Sequence, residues 1–206
     1  MRSTIGRTLM ALCVLGLMTA CAQPAREAGM VIGPVAESAR LATTVPALSS
    51  AVAVGQISGG SATNPMGMSQ VDDATIRGAL RASMTVHGIL SNDPNARYQI
   101  AGHLNELQQP FFGVDVTVTS NILWTLLDRI SGAVVFREQV VTPYTARFSD
   151  AFVGVERLRL ANEGAIKANL TKLFERLAVQ PLTPQTPTVT PAPAAPAAAP
   201  NAAPSS

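Results

Sequence analysis

Few side chains in this chain of 206 residues offer chemistry: two cysteines, Cys13 and Cys21, two histidines, His87 and His103, and the aspartates Asp115 and Asp128 around one long apolar run. A thiol can act as a nucleophile or accept an acyl group. A histidine can move protons or hold a metal, and paired carboxylates can serve as acid and base. The spacing removes most of these options. Asp115 and Asp128 lie an odd number of positions apart, which on an undisturbed strand points them to opposite faces. His87 falls at the end of a helical pattern, where a cation is favoured and a capping role accounts for it. His103 falls inside a strand pattern. The chain has no G-x-S-x-G, no H-E-x-x-H and no P-loop, the spacings that would gather such groups into a catalytic or metal centre. Gly59-Gly60 lacks the residues that follow in a phosphate loop and reads as a strand-ending turn. The expectation is a non-enzyme with no catalytic residue, no cofactor and no metal, and with one modified position, Cys21.

That position is set by what precedes it. Arg2 and Arg7 flank an apolar core from Thr8 to Leu17, and Met18-Thr19-Ala20-Cys21 closes it. Residues 1–20 therefore read as a secretory signal, too short to span a membrane in the mature protein. Small residues before a cysteine resemble the bacterial lipobox, in which the cysteine is diacylated and becomes the mature N-terminus. The resemblance implies lipid attachment at Cys21, with palmitate-type chains that anchor stably in combination. Sorting by the residue after the cysteine places Asp-bearing lipoproteins in the inner membrane. Here that residue is Ala22, so the resemblance implies the periplasmic face of the outer membrane.

Both cysteines lie in this segment, so the mature chain has no pair for a disulfide and must rely on an ordinary core. Of the 15 Lys and Arg, Arg2 and Arg7 leave with the signal, and the rest balance the 13 Asp and Glu. A near-neutral chain gives no electrostatic case for nucleic acid. Residues 21–48 are rich in Ala, Thr, Ser, Gly and Pro and read as a lipidated flexible tether. Residues 180–206, almost all Pro, Ala, Thr, Ser, Asn and Gln, read as a disordered spacer that can reach peptidoglycan.

The folded part is expected over 49–179. Its centre is Val114 to Thr142, where Val114, Val116, Val118, Ile122, Trp124 and Leu126 recur at the period of a half-buried strand and Ser131-Gly132 supplies a turn into a second run. In that run Val134, Phe136 and Val140 are expected on one side. Trp124 and Phe136 read as core before they read as lipid contacts. Ser50 to Ser58 and Arg97 to Leu107 supply two further strands. A helix is expected from Ser69 and Asp72, which form a near capping box, to Gly88, with Ile76, Ala79, Leu80, Ser83, Met84 and His87 on one face. A longer helix is expected after a Ser149 cap. Its apolar stripe is Phe152, Val155, Leu158, Ala161, Ala165, Ile166, Leu170, Leu173 and Leu177, and Arg157, Arg159 and Glu163 belong to its solvated remainder.

This order, β-α-β-β-β-α, gives an α+β two-layer sandwich with a four-stranded, mostly antiparallel sheet and two helices on one face. The run Ala79 to Met84, the strand Tyr98 to Leu107, the strand ending Leu126-Leu127-Asp128 and the run Ala161 to Leu170 resemble small envelope lipoproteins. The families in question are the LPS-assembly lipoprotein, the auxiliary lipoproteins of ABC-type lipid transporters and the TolB N-terminal-like domain. The resemblance implies an assembly or accessory factor of an LPS or lipid transport machine, held by its lipid anchor and docked on an envelope protein partner. A lipid- or ligand-binding auxiliary with a groove between helices and sheet is the other reading.

Overall fold

The computed structural model describes residues 22–64, 68–110 and 113–184. The signal, Cys21 and residues 185–206 of the expected tail lie outside the described residues. Two single-turn helices, α1 (Glu27–Met30) and α2 (Leu41–Thr44), come first, with 3-10 turns at Glu37–Ala39 and Pro46–Leu48. Then follow β1 (Val52–Ser58), α3 (Asp73–Val86), β2 (Tyr98–Gln108), β3 (Val116–Asp128), β4 (Ala133–Ala146) and α4 (Gly154–Val179). The sheet order is β1-β2-β3-β4. β1 and β2 are parallel across the α3 crossover, while β2, β3 and β4 are antiparallel. The α+β sheet-and-helix architecture expected from the sequence is the one observed.

Periodicity carries most of this. In β3, Val116, Val118, Ser120, Ile122, Trp124 and Leu126 are buried in strict alternation, so one face of the hairpin is core and the other is not. Gly132 makes the turn at φ +70°, a conformation side-chain-bearing residues avoid. In β4, Leu126 pairs with Phe136 but Leu127 pairs with Val134. Val135 is thus an extra residue, a β-bulge that inverts the alternation. Val135 and Phe136 are consequently both buried, and Val134 does not share the Phe136 side as expected.

The six residues predicted for the inner face of α3, Ile76 to His87, are all buried. The helix starts at Asp72, whose carboxylate accepts from Thr75 N at 2.7 Å, an N-cap that satisfies one orphan donor. Ser69 is not part of that cap. On α4 the stripe holds from Ala161 to Leu177 and gains Phe174. Its start does not hold. The helix begins at Gly154 with no side-chain cap, so Ser149 caps nothing, and Phe152 is 78% exposed in the preceding loop. Arg157, Arg159 and Glu163, expected in solvent, are buried.

Residues 22–48 are the largest correction. They are no tether but a strap laid over α3 and α4, with Met30, Leu41 and Leu48 at 0, 1 and 0% exposure. Composition averaged over the segment hides these solitary apolar side chains, each of which fills one hole between packed elements. The close approach requires glycine. A Cβ at Gly29 would meet the Glu163 carboxylate at 2.1 Å, and one at Gly78 on α3 would meet that of Glu27 at 2.1 Å. At the other end the chain still packs beyond residue 179, since Gln180 Nε2 donates to Glu138 at 2.9 Å and Leu182 touches the core.

Leu170 and Met30 are both fully buried, while Lys172 is exposed. Leu170→Ala and Met30→Ala should each cost about 2–5 kcal/mol in urea titrations, against less than about 0.5 kcal/mol for Lys172→Ala. A negligible loss for Met30→Ala would return the strap to a tether.

Candidate functional site

The residues singled out by chemistry are dispersed. His87 is the C-terminal cap of α3 and its Nδ1 accepts from Leu41 N at 3.4 Å. Its ring tilts at 58° against Phe174, centroid to centroid 4.6 Å. Burial, aided by the nearby Arg40 charge, pushes its pKa below the ordinary value of 6.5. The neutral ring therefore acts as an acceptor, and the expected favourable cation at the helix end is outweighed by desolvation.

His103 stands on the open face of the sheet, where its Nδ1 shares a 2.9 Å hydrogen bond with Ser58 Oγ. The two are register partners on adjacent parallel strands. A serine beside an imidazole invites a nucleophile-and-base reading. The pair is exposed, and among the described residues no carboxylate hydrogen-bonds the ring to orient it, so the geometry is a cross-strand polar contact. Asp115 and Asp128 end up at opposite ends of β3. Asp115 accepts from Phe148 N at 2.9 Å. Asp128 pairs with Arg97 at 3.1 Å, and that hydrogen bond holds its pKa below the usual carboxylate range. Trp124 and Phe136 are fully buried core residues. Among the described residues no cluster of three or more His, Cys, Asp or Glu could hold a metal ion, and no helix is long and apolar enough to cross a membrane.

What the structure does gather is a buried polar frame along α4. Trp124 Nε1 donates to Asn169 Oδ1 at 2.8 Å, and Asn169 Nδ2 donates to Val140 O at 2.8 Å. Higher on the helix, Gln109 Nε2 and Asn162 Nδ2 both donate to Ser69 O, at 2.8 and 2.9 Å, while Ser69 Oγ donates to Gln23 O at 2.7 Å. Between them Glu163 accepts from Arg26 N at 2.7 Å and pairs with Arg159, which also pairs with Glu156. That arginine lowers the Glu156 pKa. The frame binds the strap and helix to the sheet. A signal for it exists in the sequence: Asn162 and Asn169 fall on the same helical face as Ile166 and Leu173.

One concavity touches both strap and helix. A cleft of about 240 Å³ lies between them, lined by Ile32, Val35, Leu41, His87, Phe174 and Ala178. It is nearly all apolar and smaller than the roughly 300–1,000 Å³ typical of small-molecule sites.

No family model matches this chain, and no curated protein does. Among solved structures it is similar to a Xanthomonas campestris protein of family DUF330, with 12% identity and TM-score 0.48 over 62% of this chain and 83% of that one. It is also similar to PelC from Paraburkholderia phytofirmans, described as a dodecamer, with 18% identity and TM-score 0.45 over 64% and 89%. A minor lipoprotein from Acinetobacter baumannii gives 8% identity and TM-score 0.43 over 64% and 94%. At such identities and scores they assign neither a family nor an activity to this chain.

Because His87 is neutral in the folded protein and protonates freely once unfolded, acid favours unfolding. Its contribution is intact above 6.5 and is lost as pH falls through the depressed folded value. Urea titrations between about pH 7.5 and about pH 5 should show falling stability that His87→Gln flattens. The carboxylates Asp128 and Glu156, whose pKa values are also lowered, weaken the fold only at lower pH. An unchanged slope in His87→Gln would mean that the ring takes up its proton equally in the native and unfolded states.

Proposed function

We propose that this chain is a non-catalytic envelope lipoprotein, acylated at Cys21 on the periplasmic face of the outer membrane, that serves an LPS or lipid transport machine as an assembly or accessory factor. The observation that carries the reading is that Ala22, the residue after the lipobox-like cysteine, is already buried against the domain at 6% exposure. Acylation at Cys21 therefore fastens the fold itself to the bilayer with no intervening linker. Both histidines are engaged in structural contacts, and buried Asp128, Arg159 and Glu163 are ion-paired, which supports a binding role over a chemical one.

Docking has a natural place on β4. This strand runs from Ala133 to Ala146 at the sheet edge with β3 as its one neighbour, and exposes Val141 at 54%. An edge of that length is a template for strand addition by another chain. The opposite edge is partly covered, since Val52 is bridged by Leu90 and Arg77 Nη1 donates to Gly55 O at 2.5 Å. A second reading, a lipid- or ligand-binding auxiliary, is favoured by the apolar cleft.

Cys21→Ser should shift the protein from the washed outer-membrane fraction to the soluble periplasm, because the acyl acceptor is lost. Retention in the membrane fraction would overturn the anchor. A photo-crosslinking side chain at Val141 should capture an envelope protein in intact cells, whereas the same group at Arg81, exposed on α3, should not. Equal capture at both positions would remove β4 as the docking edge.

A further inference from the structure

Two loops close the end of the domain at which β2 and β4 finish and β3 and α4 begin. Val114, Phe148, Phe152 and Val153 project from them at 72, 45, 78 and 50% exposure. Apolar residues exposed singly are ordinary, whereas a cluster marks a contact surface. Phe148 and Phe152 meet edge to face with centroids 5.2 Å apart. The display is braced from within. Arg157 donates to Ala151 O at 2.5 Å and Phe152 O at 3.3 Å, and its guanidinium lies 5.3 Å above the Phe148 ring. Asp115 fixes Phe148 N beside Val114, and Asp150 accepts from Arg147 N at 2.8 Å. Residues 147–152 are thus held in a form that keeps Phe148 and Phe152 in the open.

The strap shares this half of the molecule. It starts where Ser69 Oγ donates to Gln23 O, passes Arg26 against Glu163, and continues by Ile32 N donating to Ser83 Oγ at 3.1 Å to Leu41 beside His87. α4 runs the same way, from Gly154 at the apolar end to Val179 at the other. Asn162, level with the beginning of the strap, is roughly 12 Å along the helix from Gly154. Ser69, which meets Gln23, also accepts from Gln109 directly after β2, so Ala22 lies in the half of the domain that carries the apolar loops.

We propose that Val114, Phe148, Phe152 and Val153 form a second membrane contact, seated in the interface of the same bilayer that holds the acylated Cys21. This rests on the anchoring reading above. Aromatic side chains favour the boundary between headgroups and acyl chains, and an apolar cluster buried there adds to what the acyl chains supply. Arg147, exposed beside the cluster, faces anionic headgroups in this pose. The domain then stands on its loop end with the α4 C-terminus directed away from the membrane.

The test uses the full-length chain, extracted and reconstituted in vesicles of phosphatidylethanolamine and phosphatidylglycerol, with Phe152→Trp as reporter and Ile130→Trp, 79% exposed in the β3–β4 turn, as control. Trp124 is fully buried and gives a constant background. Phe152→Trp should shift to shorter wavelength on reconstitution and lose most of its added emission when the lipids carry bromine on their acyl chains, while Ile130→Trp should do neither. Flotation with the vesicles without that quenching overturns the contact and leaves the anchor standing. A blue shift without quenching shows that protein, such as a second copy, covers the cluster and equally overturns it. Failure to float removes the anchor, and with it this proposal.

Discussion

The arrangement of the domain depends on one buried carboxamide. Asn169 lies at 0% exposure in the middle of α4, its oxygen taken by the Trp124 indole and its nitrogen given to the Val140 carbonyl and to the Ser120 hydroxyl at 3.3 Å. Trp124 in turn fills the space that a side chain at Gly102 would need, since a Cβ there would sit 2.5 Å from its ring. Gly102 of β2, Ser120 and Trp124 of β3, Val140 of β4 and Asn169 of α4 are therefore committed to a single relative position. Sliding α4 by a turn would strand a buried donor and a buried acceptor, each at about 1–3 kcal/mol, and would leave the indole without its fit. Apolar packing alone tolerates alternative registers, and this polar contact selects one among them.

Glu163 does the same for the strap. Its carboxylate is desolvated, which is tolerable only because Arg159 and the Arg26 amide meet it. The glycine at position 29 lets the strap backbone come close enough for that amide to reach. On the other flank Glu27 lies over Gly78, so the strap sits between two helices through acidic side chains resting on glycines. The polar frame and the strap are consequently one structure, and loss of the Arg159 charge would leave Glu163 buried without compensation while loosening the N-terminal segment.

The sequence was most legible where one period ran long enough to be distinctive. β3 and the inner face of α3 were read residue by residue because burial there repeats at two and at 3.6 positions. The bulge at Val135 was less legible, since an extra residue shows only as a broken alternation. The strap was illegible for a different reason: Met30, Leu41 and Leu48 are too far apart to make a period, and their surroundings are contributed by residues distant in the chain. The buried charges on α4 were misread because a Glu and an Arg three or four positions apart look the same in water as under a strap. As for the candidate site, Cys21 was read from a local motif, and the apolar cleft was not, because its walls come together only after the strap has docked.

The strap also orders events in time. Arg26 and Glu163 are 137 positions apart, so the partner that fixes the start of the strap is delivered by α4. In a chain made from its N-terminus the strap emerges first and waits, unpaired, until α4 has followed. The strap is therefore the first part of the domain to be made and among the last to be placed.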